Sequence, residues 1–382
     1  MSTFATLTDT TSPIRIIQVG AGGMGRVWLQ LLINSPEIEL VGLVDLDTEA
    51  ARRTLAELGR PDVTSDIAVT ASLSEIAGST GAQAVVNVTV PVAHHPVNVE
   101  AMFAGLPVLC EKPIAPTVSQ ALSLAAASEA SGQLLMTSQS RRYYPVLAEF
   151  KKALGSLGEV GIVTTEFFMA PRFGGFRDTM DHPLLVDMSI HAFDVARYLL
   201  DAEPVSVYCD SYNPAWSWYA GDAATTAIFE FEGGLRYTFV GSWCSPGMET
   251  SWNGSWRVSG SKGSATWDGE TMPKVDAEND LQQKSKADSG HETIAGSLAE
   301  FIDSLRTGRA PSGEVHSNVL SLAMVEAAVQ SAQRGERVFV EAMLEDSYRD
   351  AVATEKRSDV LSVLTGWDSA RAGLENFGAD CL

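Results

Sequence analysis

The sequence predicts an α/β chain in two parts: a doubly wound parallel sheet, then an α+β domain with a large, mostly antiparallel open sheet. Three observations carry that expectation. At 382 residues the chain exceeds the ~250 to 300 at which single cores stop growing. Its first third alternates short apolar runs with helical periodicity, the pattern of right-handed βαβ crossovers. Its second half turns to strand-like segments joined by glycine signals.

The run from Ile14 to Val19 is apolar apart from Gln18 and ends in glycines, as expected of a parallel strand covered on both faces. Met24 to Ile33 reads as a helix, Glu39 to Val44 as a strand, Thr48 to Leu58 as a helix, Ala84 to Val90 as a strand and Pro96 to Phe103 as a helix. Val108 to Cys110 (strand), the alanine-rich Val118 to Ala130 (helix) and Leu134 to Met136 (strand) continue the alternation. From about Tyr143 the texture changes. After a helix through Leu154, strands are expected over 161–169, 205–211, 223–231, 235–241, 252–259 and 264–267. Residues 270–290 are polar and aperiodic and read as a mobile loop. Ile294, Leu298, Phe301, Ile302 and Leu305 mark an amphipathic helix, and a second helix covers roughly 318–330. The expected organisation is a nucleotide-binding domain over 1–140, a substrate and oligomerisation domain over 141–340, and a charged tail over 341–382 that packs on a neighbour or frays.

Composition narrows the function. With 45% hydrophobic and 20% charged residues the chain can build real cores and is not disordered. A net charge of −21 argues against nucleic acid, whose binding rests on clustered Lys and Arg. No run approaches the ~20 apolar residues of a membrane span, and the start MSTFATLTDTTSPIR lacks a signal-peptide core. Cytoplasm is the expected location. Cys110, Cys209, Cys244 and Cys381 are scattered without a CxxC pair, which reads as free thiols rather than a zinc site or disulfide framework.

Gly20-Ala21-Gly22-Gly23-Met24-Gly25 fits GxGxxG, weak alone but here placed between a strand and a helix, with Asp45 closing the next strand about 20 residues on. Gly20 permits the tight turn, Gly22 lets a pyrophosphate approach the backbone, and Gly25 brings helix and strand together. The helix amino terminus, with Gly23 and Met24, offers amides and partial positive charge to the phosphates. Asp45 accepts hydrogen bonds from a ribose and, with Asp47, repels a 2'-phosphate, so the expected cofactor is NAD within a Rossmann domain. Arg52 and Arg53 are the competing signal for NADP, although a helix surface suits them better.

In Leu184 to Leu200, Asp187, His191 and Asp194 recur at i, i+4 and i+7 and share one face of an otherwise apolar helix. Unpaired polar groups in a core cost ~1 to 3 kcal/mol, so the stripe needs partners. A core histidine pinned by its carboxylate and a general acid/base both fit it. No further ligand cluster accompanies the pair, so no metal is expected.

Together, the strand-ending Glu111-Lys112-Pro113, the upstream Val88-Thr89-Val90-Pro91 with His95, the segment Arg142-Tyr143-Tyr144-Pro145 leading to Leu157-Gly158-Glu159-Val160, and the Asp187, His191, Asp194 stripe resemble the GFO/IDH/MocA oxidoreductases. That family includes glucose-fructose oxidoreductase and inositol dehydrogenases, and the resemblance spans roughly residues 13 to 340. It implies that Lys112 and His191 lie beside the nicotinamide and the substrate hydroxyl, with Asp187 orienting His191. Thr89, Pro91, His95 and Glu111 line the cofactor by the same similarity. Arg142 and His182 join the substrate side, although His182 serves equally well as a helix cap. The departure is Met180-Asp181-His182-Pro183, where family members often carry a glycine run, so the pocket wall differs. The family's open sheet often mediates association, which makes a homodimer or homotetramer the expectation.

An acid/base and an oxygen-holding group are what a nicotinamide site needs. His191, with an imidazole's ordinary pKa near ~6.5, takes the hydroxyl proton as hydride leaves the same carbon. Lys112 donates to the developing oxyanion, or carries the proton itself where desolvation lowers its pKa. Pro113 restricts Lys112 to extended or turn conformations and admits a cis peptide. Of the tryptophans Trp216, Trp218, Trp243, Trp252 and Trp256, one or two are expected in a sugar pocket and the rest in sheet packing. The expected function is NAD-dependent oxidation of a secondary hydroxyl of a sugar, sugar derivative or cyclitol. Its alternatives are an NAD-using glycosidase acting by transient oxidation, an NADP-dependent carbonyl reductase and a non-catalytic NAD-binding regulator.

Overall fold

Strands without a polar side have no face to present to water, so they pair in parallel at the centre of a covered sheet. In the computed structural model, which describes residues 4–60, 64–277 and 293–376, the first of two units is built this way. It comprises the chain up to Gln139, Ile294–Val319 and the chain from Glu345. Its elements run β1 (Ile14–Val19), α1 (Gly23–Asn34), β2 (Ile38–Val44), α2 (Thr48–Glu57), β3 (Ala68–Thr70), α3 (Leu73–Ile76), β4 (Ala84–Asn87), α4 (Pro91–Phe103), β5 (Val108–Glu111), α5 (Val118–Ser131) and β6 (Leu135–Ser138). The six strands are ordered β3-β2-β1-β4-β5-β6, with every pairing parallel. The order reverses between β1 and β4, and ligands of such sheets bind beyond the carboxyl ends of the strands at that point.

The second unit comprises Ser140–Thr293 and Leu320–Leu344. It holds a short turn (Ser140–Tyr143), α6 (Pro145–Leu154), β7 (Val160–Phe168), a π-helical turn (Leu184–Ser189), α7 (Ile190–Leu200), β8 (Pro204–Tyr212), β9 (Ala224–Phe231), β10 (Arg236–Ser242), β11 (Ser255–Gly260), β12 (Gly263–Trp267) and β13 (Lys274–Ala277). In chain order there follow α8 (Thr293–Thr307) of the first unit, α9 (Val315–Arg334), β14 (Val338–Phe339) and α10 (Val340–Thr354), then α11 (Ser358–Gly366) and α12 (Ala370–Asn376) of the first unit. The eight-stranded sheet is ordered β13-β12-β11-β7-β10-β9-β8-β14. Only β7 and β10 pair in parallel; the other pairings are antiparallel. One face is a core of aromatic rings. Phe193 of α7 packs edge-on against Phe229 at 4.8 Å and Phe239 at 5.4 Å, and Tyr237 stacks on Trp256 at 6.0 Å. Each such ring contributes roughly 1.5 to 3 kcal/mol by burial and fixes α7 on the sheet.

Several elements differ from the sequence reading. The helix expected from Pro96 starts at Pro91, because Pro91 fills a first-turn position whose N–H has no helical partner anyway. Lys274–Ala277, read as loop, is an edge strand on β12, while the rest of that reading, from 278, lies outside the described residues. The helix expected over Leu184 to Leu200 opens with the π-turn, whose backbone bonds span five residues. The tail does not fray through residue 376: it is helical and packs on its own unit. Ser123 of α5 donates to Glu355 at 2.5 Å, Arg357 lies over the Phe103 ring at 3.5 Å, and Tyr348 stacks on Trp367. Cys110, Cys209 and Cys244 are buried free thiols; Cys381 lies outside the described residues. Among the described residues no helix is long and apolar enough to cross a membrane.

A buried triad pins the carboxyl-terminal segments to α5. His316 places Nδ1 2.7 Å from Glu314 and Nε2 3.1 Å from Glu129, and the Trp367 indole donates to the same Glu129 oxygen at 3.2 Å. Burial disfavours the imidazolium, but the two carboxylates outweigh it and raise the pKa to about 9. Because the folded value lies above the unfolded one of 6.5, the triad's contribution is fully present below that pH and is lost as pH rises through about 9. Thermal melts should therefore show His316→Gln destabilised by about 3 kcal/mol at pH 6, the low end for a broken buried pair. The gap from wild type should narrow at pH 10.

Candidate active site

The glycine loop joins β1 to α1, and its four glycines divide into two kinds. Gly20 adopts φ +99°, and a Cβ there would lie 2.6 Å from the Val88 carbonyl oxygen. A Cβ on Gly25 would come within 2.4 Å of the Gly20 oxygen. These two glycines let backbone pass backbone. Gly22 and Gly23 face open space, with nothing within 4 Å of where a Cβ would stand, and Gly22 caps α1. The loop therefore has the clearance a pyrophosphate needs at a helix amino terminus, and Met24 beside it is exposed. Asp45 follows β2 and accepts from the Ala21 amide at 2.8 Å and the Asp47 amide at 2.9 Å. The Asp47 carboxylate caps α2 through Ala50. Arg52 is bonded to Thr48 and the Val69 carbonyl, and Arg53 lies 3.9 Å from Glu49.

The next strand ends carry the other predicted residues of this unit. Glu111 closes β5, accepts from the Trp28 indole at 2.8 Å and from the Lys112 amide at 3.1 Å, and desolvation pushes its carboxyl up. Lys112 and Pro113 are joined by a cis peptide. Thr89 donates its amide and hydroxyl to Asn87, and Pro91 opens α4. His95 turns into the helix layer, 3.1 Å from the Ser123 hydroxyl, where burial lowers its pKa despite Glu355. Its neighbour His94, which the sequence reading passed over, is the imidazole at the strand ends. His94 is buried, with Nδ1 2.6 Å from the Pro113 oxygen and Nε2 3.0 Å from the Thr89 oxygen, so it ties the loop after β4 to the loop after β5. Burial lowers its pKa against the pull of the two carbonyls. Two adjacent histidines give no sequence signal for which one faces which way.

In the second unit the expected polar stripe resolves into three environments. Asp194 is buried and receives Arg142 through Nε and Nη2, each at 2.8 Å, and Ser321 at 2.7 Å. Arg142, expected on the substrate side, thus spends its fork inside the protein. Asp187 sits on the π-turn 2.5 Å from Arg177. His191, at the start of α7, opens onto a pocket with Arg141, Phe167, Met188, Trp252, Asn253 and Trp267 among its walls. His182 is buried with its Nδ1 3.6 Å from Asp222, and its carbonyl accepts the Val186 amide, while Pro183 holds the cap position of the π-turn. Desolvation raises the Asp222 carboxyl. Trp243 and Trp256 are core, and Trp252 is the tryptophan of the expected five that reaches the His191 pocket. Arg141 is the residue that sequence reasoning missed there, because nothing in Arg141-Arg142 says which one lines the pocket and which one pairs with Asp194.

Comparison with known proteins assigns both units. Residues 14–139 match the oxidoreductase family model with an NAD-binding Rossmann fold, and residues 152–266 match the GFO/IDH/MocA C-terminal domain. The chain belongs to the GFO/IDH/MocA oxidoreductase family. Among relatives, protein y4oX of Sinorhizobium fredii is 26% identical over 89% of this chain and 99% of its own length. Inositol 2-dehydrogenase 1 of Saccharopolyspora erythraea is 30% identical, but the match spans 51% of this chain and 56% of that protein. D-apiose dehydrogenase of Paraburkholderia graminis is 24% identical over 87% of this chain and 91% of its own length. Among solved structures, the WlbA dehydrogenase from Bordetella pertussis shares the fold with a TM-score of 0.75 at 20% identity, covering 86% of this chain and 98% of that one.

The two kinds of glycine lead to opposite outcomes. Gly22→Ala should leave stability within about 0.5 kcal/mol while weakening dinucleotide binding at least about 10-fold, because its methyl fills the phosphate approach. Gly25→Ala should cost about 1 to 3 kcal/mol by overpacking. Denaturant melts and calorimetric titration with NAD read the two effects separately.

Proposed function

We propose that this family member is a dehydrogenase that oxidises a secondary hydroxyl of a sugar, sugar derivative or cyclitol, with NAD as the acceptor. The observation that carries this reading is His191 opening onto an aromatic-walled pocket in a chain whose glycine loop has clearance for a dinucleotide. The exposed ring of Trp252 suits the apolar face of a sugar. The names of the relatives agree in kind: inositol 2-dehydrogenase, D-apiose dehydrogenase, and a WlbA dehydrogenase complexed with NADH and UDP-GlcNAcA.

When bound, the nicotinamide supplies the hydride acceptor. His191 then takes the hydroxyl proton at a ring nitrogen, with Asp187 setting the orientation of the imidazole. Lys112 donates a hydrogen bond to the oxygen as negative charge develops there. Gly20, Gly22, Gly23, Met24 and Gly25 shape the pyrophosphate cradle, and Thr89, Pro91, His95 and Glu111 belong to the cofactor side by family likeness. Asp45 favours NAD, since a carboxylate held by two backbone amides repels a 2'-phosphate and welcomes ribose hydroxyls. The bonds of Arg52 and Arg53 to their own helix and the adjoining strand weaken the NADP alternative.

A panel of cyclitols, aldoses and glycosides, scored for NADH formation, tests the reading. Lys112→Ala and His191→Asn should each lower kcat by at least about 100-fold, the range for a lost proton-transfer group, while calorimetric NAD affinity stays within about 3-fold of wild type. The wild type should show the lower KM for NAD. Full turnover in Lys112→Ala, or a lower KM for NADP, would overturn the corresponding assignment.

A further inference from the structure

The second unit matches most of its inward arginines with carboxylates. Arg142 forks Asp194, Arg177 meets Asp187, and Arg197 meets Glu203. Arg141 has no such partner among the described residues. Its Nη1 donates to the Asn253 side-chain oxygen at 2.8 Å and to the Tyr144 hydroxyl at 3.2 Å. Its Nε is buried and makes no hydrogen bond. Burial presses the guanidinium toward its neutral form, with Tyr144 opposing, yet an arginine keeps its charge throughout the working pH range. The guanidinium is half-buried, so water reaches part of it, but the enclosed Nε stays without an acceptor until one arrives.

Arg141 and His191 line the same pocket, and no acidic side chain does. The remaining walls are aliphatic or aromatic side chains and the Asn253 amide. We propose that Arg141 receives a carboxylate of the substrate, so that the alcohol oxidised is a hydroxy acid of the sugar or cyclitol class, such as an aldonate or uronate. This substrate assignment rests on the dehydrogenase reading; the binding of a carboxylate at Arg141 does not. One planar guanidinium, without a lysine among the pocket walls, matches the planar monoanion of a carboxylate better than a tetrahedral dianion. The neighbouring Arg142 shows the geometry, with Nε and Nη2 on the two oxygens of Asp194.

Tryptophan fluorescence reports the pocket through Trp252 and Trp267. Titrations with glucuronate, galacturonate and gluconate, each against the neutral glucose or galactose, should be run on wild type, Arg141→Gln, Arg141→Lys and Arg172→Gln. In wild type at least one acid should bind about 10-fold or more tightly than its neutral parent, the size of one charge-assisted hydrogen bond. That ratio should fall to near one in Arg141→Gln, recover in part in Arg141→Lys, and stay at the wild-type value in Arg172→Gln, which removes a charge stacked on Trp218 elsewhere in the unit. The same ligands, offered with NAD, should yield NADH in proportion. Equal affinity for acids and neutral sugars in wild type, or a preference that survives Arg141→Gln, would overturn the assignment. Selective acid binding without NADH would retain the carboxylate site and count against the dehydrogenase reading instead.

Discussion

The buried pair between Arg142 and Asp194 is the constraint on which the second unit's site depends. Two parallel bonds at 2.8 Å join the turn after residue 139 to the middle of α7, and Ser321 extends the network through α9 to Arg197. Such a pair is costly to break, because the survivor is left charged and desolvated. Its residues are chain neighbours of the ones that face the pocket: Arg141 precedes Arg142, and His191 lies one helical turn before Asp194. With Phe193 locked among Phe229 and Phe239 on the sheet, the imidazole has little freedom to move. An ion pair set back from the pocket thus directs the side chains that line it.

The first unit is constrained differently, by how closely backbone passes backbone. Gly20 lies against Val88 and Gly25 against Gly20, which holds α1 against the ends of β1 and β4. The polar groups at this edge are backbone-directed. Asp45 binds two amides, Thr89 binds Asn87, and His94 spans two carbonyls. Such short-range bonds fix the carboxylate and amides of this rim from within the chain.

What could be read from the sequence followed the strength of the local physics. Five strands of the parallel sheet and the glycine loop were legible because apolar runs and steric glycines admit few alternatives; the three-residue edge strand β3 was not. The open sheet was legible from its alternation and glycine turns, but β13 and β14 were not: an edge strand of two to four residues leaves too short a pattern. Helical spacing placed Asp187, His191 and Asp194 on one stripe; the π-turn, Arg177 on Asp187 and Arg142 on Asp194 separate their surroundings, which periodicity alone does not encode. The pairs His94-His95 and Arg141-Arg142 mark the same limit, since the direction of adjacent like residues is decided by tertiary partners such as Pro113, Ser123, Asp194 and Asn253. The tail was missed because its anchors, Tyr348, Arg357 and Trp367, are single side chains rather than a stripe.

The proposed reaction requires that hydride leave a substrate carbinol carbon and stay on the nicotinamide. The direct measurement is to incubate the protein with NAD and a panel of sugars, cyclitols and their acids deuterated at the carbinol carbons, and to follow the label by mass spectrometry. One deuterium should accumulate in the reduced cofactor for each substrate molecule oxidised. Product formed without labelled reduced cofactor, as transient oxidation by a glycosidase would give, would contradict that requirement.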